Sequence, residues 1–155
     1  MDWQYITGFF DGEGGTHIGY SRAFKAGKYY KTPRLQITMV NTNKSVLEKI
    51  SSFLRASGIV CGIYHQRQKP PRGTSFSLRI TSLEALDQFI SHVEPFVIAK
   101  ADVFRIVKET LAFMKNRHPS KKSRVRWNSN DLAQFDELVC RHATFIKKGR
   151  RALTY

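Results

Sequence analysis

Acidic residues are scarce in this chain of 155 residues: 12 Asp and Glu stand against 26 Lys and Arg, leaving a formal charge of +14. An imbalance of that size favours a polyanionic partner, either nucleic acid or an anionic membrane surface. Long apolar runs are missing too, and the opening Met1-Asp2-Trp3-Gln4 lacks the character of a signal peptide. Membrane insertion and secretion are therefore not expected, and an intracellular setting is, in the cytoplasm or an organelle matrix. Cysteine is limited to Cys61 and Cys140, far apart and in no Cys-x-x-Cys pair. Both are expected to be reduced core thiols rather than parts of a disulfide or zinc site. Solenoid periods and low-complexity linkers are also lacking, and the length suits one domain with its own core.

What is present is a repeated order of helix and hairpin. Trp3, Ile6, Phe9 and Phe10 recur at helical spacing, and the helix runs out at Gly14-Gly15. Residues 16–21 read as a strand with Ile18 and Tyr20 on one face and His17, Gly19 and Ser21 on the other. A basic loop over 22–28 leads to a second strand, 29–40, in which Leu35, Ile37 and Met39 alternate with Arg34, Gln36 and Thr38. Pro33 marks an edge or a bulge. Ser45 with Glu48 reads as a capping box for a helix that Gly58 ends. A second hairpin follows, residues 59–68 and 74–80 around a basic loop, with Phe76, Leu78 and Ile80 inward and Ser75, Ser77 and Arg79 outward. Ser82 opens another helix, stopped by Pro95. Beyond it come a helix over 99–114, an acid-free basic stretch over 115–126, and a last helix over 130–145 capped by Asn130.

These elements predict an α+β fold of order αββαββα, with an antiparallel four-stranded sheet carrying helices on one face, plus C-terminal helices. The chain reads as one domain over 1–155, with a core over 1–114 and a basic C-terminal extension over 115–155 holding one helix. Such a sheet leaves its second face open. The outward set expected there is His17, Ser21, Arg34, Gln36, Thr38, His65, Arg67, Ser75, Ser77 and Arg79, flanked by the cations Arg22, Lys25, Lys28, Lys31, Lys69 and Arg72 and by Lys121 and Lys122 of the basic stretch. A solvated sheet face is the plain alternative. Against it stand the residue types, since Arg and Gln offer paired donors and acceptors to base edges, while loop lysines suit phosphates. A twisted ribbon of this size fits a major groove.

The first helix carries the sharpest signal. Asp11 and Glu13 lie at its C-terminus, where the macrodipole disfavours carboxylates, so a compensating cation is expected and a divalent metal is the economical candidate. Gly8 and Gly12 lie one turn apart, on a face where a second backbone can approach. Glycine inside a helix costs about 1 kcal/mol relative to alanine, which suggests that the pair serves a close contact. A calcium loop does not fit, because the later oxygen ligands are missing. A dinucleotide fingerprint fails for want of a preceding strand. His118, Asn128 or Asn130, and His142 have no metal-ligand spacing and make no nuclease motif.

Ile6-Thr7-Gly8-Phe9-Phe10-Asp11-Gly12-Glu13-Gly14 resembles the signature of the LAGLIDADG homing endonucleases, with Gly8, Asp11, Gly12, Glu13 and Gly14 in register. Thr7 for Ala and aromatics for aliphatics are mild departures. The resemblance implies a homing-endonuclease-like domain and a metal-dependent, site-specific endonuclease of the single-motif type, encoded in an intron or similar element and cutting double-stranded DNA. It also implies a divalent metal, Mg2+ with Mn2+ or Ca2+ as substitutes, held by Glu13 and the Gly12 carbonyl. Asn43 matches a position where family members place a water-organising residue, although Asn is equally at home in a strand-to-helix turn. In Glu94-Pro-Phe-Val-Ile-Ala-Lys100, Lys100 matches a catalytic-centre lysine or is a solvated helix-start residue. Asp11 reads as structural. One motif supplies one carboxylate centre, so two cuts require a homodimer through Tyr5, Gly8, Phe9 and Gly12 and a pseudopalindromic target. An intron maturase binding RNA on the same scaffold stays open. A catalytically silent DNA-binding regulator is the third reading, disfavoured by Glu13.

Overall fold

The computed structural model describes residues 1–25, 27–66, 73–117 and 127–152. In order these form α1 (Trp3–Glu13), β1 (Gly14–Lys25), β2 (Lys28–Asn41), α2 (Lys44–Ala56), β3 (Gly62–Gln66), β4 (Ser75–Ile80), α3 (Leu83–Val93), a single 3-10 turn (Glu94–Phe96), α4 (Ala101–Arg117) and α5 (Ser129–Ala152). The αββαββα order and the α+β class are as expected. The four strands form one antiparallel sheet in the order β1-β2-β4-β3. The chain divides into two compact units, Met1–His17 with Gln36–Ala101, and Ile18–Leu35 with Asp102–Tyr155.

In the first unit the helices α1, α2 and α3 supply Ile6, Phe10, Leu47, Ile50, Leu54, Leu86 and Phe89 to a core shared with Ile37, Met39, Leu78 and Ile80 of the sheet, all fully buried. Burying each such side chain stabilises the fold by about 1.5–3 kcal/mol. Aromatic edges tie α1 to its neighbours: Trp3 meets Phe53 edge-on at 5.1 Å and stacks on His92 at 4.2 Å, while Phe10 meets Phe89 edge-on at 5.8 Å. The register Ile37↔Ile80, Thr38↔Arg79 and Met39↔Leu78 puts all the apolar partners on the helix side. Pro33 lies on β2 outside the Ile37–Asn41 segment that pairs with β4, where its missing N–H breaks no ladder to that strand.

In the second unit Tyr20 meets Phe135 of α5 edge-on at 5.2 Å, and its hydroxyl donates to Asp136 Oδ1 at 2.6 Å. Burial, then that hydrogen bond and the carboxylate charge, raise the Tyr20 hydroxyl above its ordinary value. Arg141 of α5 donates two bonds of 2.8 Å to the Glu109 carboxylate of α4.

Several boundaries differ from expectation. The basic segment 22–28 is mostly strand, since β1 runs to Lys25 and β2 begins at Lys28. Residues 59–61 lie outside β3, although Ile59 and Cys61 are buried. The cap of α2 is Asn43, whose side chain accepts from Ser45 N, and Glu48 pairs instead with Lys44 at 2.8 Å. The cap of α5 is Asn128 rather than Asn130: its Oδ1 accepts from Asp131 N at 2.8 Å, and Asp131 Oδ2 accepts from Asn128 N at 3.2 Å. Cys61 is a buried thiol as expected, but Cys140 is exposed.

Candidate nucleic-acid interface and carboxylate site

All 12 acidic residues lie in helices or at their caps. The four strands contain no Asp or Glu, whereas Arg22, Lys25, Lys28, Lys31, Arg34 and Arg79 are strand residues. No strand carboxylate is therefore available to neutralise those cations.

In the first unit α2 packs on β3 and β4 from one side. The other side carries Thr38, opposite Arg79, and Ser77, opposite Val40. Thr38 Oγ1 donates to Gly15 O at 3.3 Å, so Gly15 and, two residues on, the exposed His17 share that face. Outward does not mean accessible: Gln36 is 9% exposed, Ser75 4% and Ser77 0%. A serine lies low between longer neighbours, and the Ser77 hydroxyl accepts from Arg79 Nε at 3.3 Å instead of facing outward.

The register also corrects β3. His65 stands opposite Phe76, with the rings 5.4 Å apart, so it shares the helix side with Ile63 and Leu78 rather than the open face. Tyr64 and Gln66 take the open face, and neither was in the expected set. The doublet Ile63-Tyr64 left the phase of alternation ambiguous; only pairing with β4 resolves it. Tyr64 is 51% exposed, and the Arg79 guanidinium carbon lies 4.7 Å from its ring centroid.

In the second unit Arg22 is exposed and Arg34 half-buried. Ser21 donates to Thr32 O at 3.3 Å, and Lys31 Nζ lies 5.9 Å from the Tyr20 ring that packs on α5. Lys25 ends β1 and Lys28 opens β2. Arg67, Lys69, Arg72, Lys121, Lys122 and His118 lie outside the described residues.

The second candidate centre is the C-terminus of α1. The cation expected there is present within the chain: the half-buried Lys100 donates from Nζ to the carbonyl oxygens of Phe10, at 3.0 Å, and Asp11. Burial lowers the Lys100 ammonium below its ordinary value, while Asp11 and then Glu13 oppose the shift. The Asp11 carboxylate is held to the chain, accepting the backbone N–H groups of Ile98 at 2.9 Å, Ala99 at 3.2 Å and Lys100 at 3.3 Å. Its structural reading therefore has a geometric form: it anchors the loop that delivers Lys100. Glu13 is exposed, and its carboxylate makes no hydrogen bond or ion pair with any described residue.

Asp11, Glu13 and Lys100 are thus gathered at one helix end. Asn43 uses its side-chain oxygen as the α2 cap, at 3.1 Å from Ser45 N, and no hydrogen bond joins it to Glu13 among the described residues. Among the described residues of one chain, no three His, Cys, Asp or Glu converge on a metal position. Along α1, Tyr5, Gly8 and Gly12 are exposed and Phe9 is half-buried, with the Tyr5 and Phe9 rings 6.4 Å apart. A Cβ built on Gly8 or Gly12 would meet nothing within 4 Å. Packing within the described chain therefore gives neither glycine a reason to be glycine. No described helix is long and apolar enough to cross a membrane.

Comparison with known proteins bears on the same elements. The model of the LAGLIDADG endonuclease family matches residues 6–111, from α1 into α4. An archaeal intron-encoded homing endonuclease, I-Vdi141I, solved in complex with DNA, is 21% identical, with 92% of this chain and 82% of that one covered at a TM-score of 0.66. The homing endonuclease I-TnaI is 21% identical, with 99% and 97% covered at 0.65. I-CvuI, solved in complex with its target in the presence of calcium, is 16% identical, with 92% and 80% covered at 0.61. No curated protein matches the chain. At these identities the solved structures establish the fold. The family match takes in the helix that ends in Asp11-Gly12-Glu13, both hairpins and Lys100, and the chain accordingly belongs to the LAGLIDADG endonuclease family.

Proposed function

We propose that the protein is a site-specific double-strand DNA endonuclease that acts as a homodimer on a long pseudopalindromic target with a divalent metal. The observation that carries this reading is the carboxylate of Glu13. It is exposed at the negative end of a helix, hydrogen-bonded to no described residue, and attracted only by the charge of Lys100, which is already bonded to that helix end. Lys100 offsets charge at that helix end, but no hydrogen bond or ion pair with a described residue fixes the Glu13 carboxylate itself. Its oxygens and the Gly12 carbonyl are hard donors that suit Mg2+, with Mn2+ or Ca2+ as substitutes, and fall short of the six or more ligands such ions take. That shortfall is what a second copy of α1 and the DNA phosphates would supply.

When bound, the ion supplies charge neutralisation at the phosphate and an activated water. The chain's own residues do the rest. Lys100 spends two of its three donors on the carbonyls of Phe10 and Asp11 and keeps one for a phosphate oxygen. Asp11 fixes the Lys100 backbone through its three accepted bonds. Asn43, while capping α2, retains its side-chain amide donors to orient water. Glycines at 8 and 12, which no packing among the described residues requires, would let two α1 helices approach closely across a twofold axis. The acid-free strands offer an uncompensated positive surface to the phosphates of the duplex. The likeness to I-Vdi141I supports an origin within an intron.

The test is magnesium-dependent cutting of a randomised duplex library, followed by sequencing of the ends, with wild type and Glu13→Gln side by side and gel shifts run in calcium. Wild type should cut a defined site on both strands, and Glu13→Gln should bind that site while cutting at least about a hundredfold more slowly. Equal cutting by both proteins would remove Glu13 from the chemistry. Absence of cutting by wild type, together with binding to a structured intron RNA, would favour a maturase.

A further inference from the structure

Tyr64 was not in the set of side chains expected to meet DNA, yet its surroundings have the form of a built reader. The ring does not stand up from the sheet. It lies back along β3 over Gly62, where a Cβ on Gly62 would fall 3.0 Å from both Cε2 and the hydroxyl of Tyr64. Gly62 stands directly opposite Arg79 in the register with β4, and Tyr64 opposite Ser77. The ring therefore occupies the sheet surface beneath the Arg79 side chain, whose guanidinium carbon sits 4.7 Å from the ring centroid. Arg79 Nε is engaged by the buried Ser77 hydroxyl at 3.3 Å. Its two terminal nitrogens make no hydrogen bond to any described residue, and no described carboxylate pairs with it. A guanidinium held on one flat side by an aromatic ring and at one edge by a hydroxyl has lost most of its rotamer freedom before any ligand arrives.

We infer that Gly62, Tyr64 and Ser77 hold Arg79 ready to read one guanine in each half-site. Its free nitrogens would donate to guanine O6 and N7, the paired acceptors that match the guanidinium fork. Arg79 makes the contact, and Tyr64 is a positioning residue acting through it. The inference rests on the DNA-binding part of the proposed function. Glycine at position 62 leaves the ring its place, since a Cβ there would make the ring give by a few tenths of an ångström, and the four strands have no acid to draw the arginine aside.

The experiment selects bound sequences from a randomised duplex pool in calcium, using the full chain as wild type, Arg79→Ala, Tyr64→Leu, Tyr64→Phe and Gly62→Ala. Melting temperatures confirm that each variant is folded. Wild type should prefer guanine at one position per half-site by roughly tenfold or more, and Arg79→Ala should erase the preference there alone. Tyr64→Leu and Gly62→Ala should each lower the preference at the same position by roughly three- to tenfold, while Tyr64→Phe keeps it because the ring face is what the guanidinium needs. A sequence-selective wild type whose guanine preference survives folded Tyr64→Leu and Gly62→Ala would overturn the inference and leave the function standing. Uniform weakening by Arg79→Ala at every position would make Arg79 a phosphate contact and overturn it equally. A wild type with no sequence preference would bring down the site-specific reading itself.

Discussion

At the scale of single residues, the acids of the α1 terminus divide their work. Asp11 satisfies three backbone N–H groups of the 98–100 segment, so Asp11→Ala leaves three donors to water and frees the loop that carries Lys100. Because most of these amides are exposed, the loss should be about 1–2 kcal/mol rather than the sum of three buried bonds, read from denaturant midpoints. Asp11→Asn keeps an acceptor and should cost less. Lys100→Met removes a half-buried charge that burial already disfavours, while also removing two bonds to helix carbonyls. These effects oppose each other, so unfolding free energy should move by no more than about 1 kcal/mol. A cutting rate that stayed at the wild-type value in Lys100→Met would assign the lysine to helix termination alone.

At the scale of elements, α1 passes into β1 with no intervening loop, because Glu13 ends one and Gly14 begins the other. The backbone of Gly14 is extended, at φ −83°, so no left-handed cap is needed. Glycine is required for space: a Cβ there would collide with the ring and the carbonyl oxygen of Phe10. Gly14→Ala should therefore destabilise the protein by about 2 kcal/mol or more, since one obstacle is backbone that cannot rotate away. A change below about 0.5 kcal/mol would show that the junction yields easily. The helix pair α4–α5 allows a test with pH. Hydrogen bonds from Arg141 hold the Glu109 carboxyl below its ordinary 4.5, so the unfolded chain takes up this proton first as pH falls. The contribution of the pair is present above pH 4.5 and disappears as pH drops through the lowered value of the folded state. Arg141→Met should melt below wild type at pH 7, with the gap closing toward pH 3; a gap independent of pH would point to lost packing instead.

At the scale of the whole molecule, net charge and the proposed twofold symmetry each give a test. With a formal +14 and strands free of acid, binding to any duplex should weaken steeply with salt. If six or more phosphates are neutralised, affinity falls about a thousandfold between 50 and 200 mM salt. A shallow salt slope would mean that few of these cations touch the backbone of DNA. Gly8 offers the test of symmetry. Since a methyl group there meets no described atom within 4 Å, Gly8→Ala should raise the helix propensity of α1 by about 1 kcal/mol, while Gly8→Leu should hold two α1 helices apart. Sedimentation of folded Gly8→Leu as a monomer, beside a dimeric wild type, is the expected result. A monomeric wild type that cuts both strands would overturn the dimer.

What the sequence determined by itself is what depends on neighbours along the chain. The helical period of α1, the alternation of Leu35, Ile37 and Met39, the stops at Gly58 and Pro95, and the acidic pair at the end of α1 were all legible, because periodicity and turn chemistry act over a few residues. The order αββαββα followed from them. Choices among near-equivalent local solutions were not legible: Asn43 rather than Ser45 as a cap, Asn128 rather than Asn130, and the phase of β3, where Ile63 and Tyr64 are both apolar enough to face inward. Register with β4 resolved the last of these, and so brought Tyr64 under Arg79 and took His65 off the open face. Only the tertiary structure could bring Lys100 to the carbonyls of Phe10 and Asp11, 90 and 89 residues away in sequence. A cation was foreseeable from the dipole of α1, but which one supplies it depends on where a distant loop packs, and local patterns do not encode that.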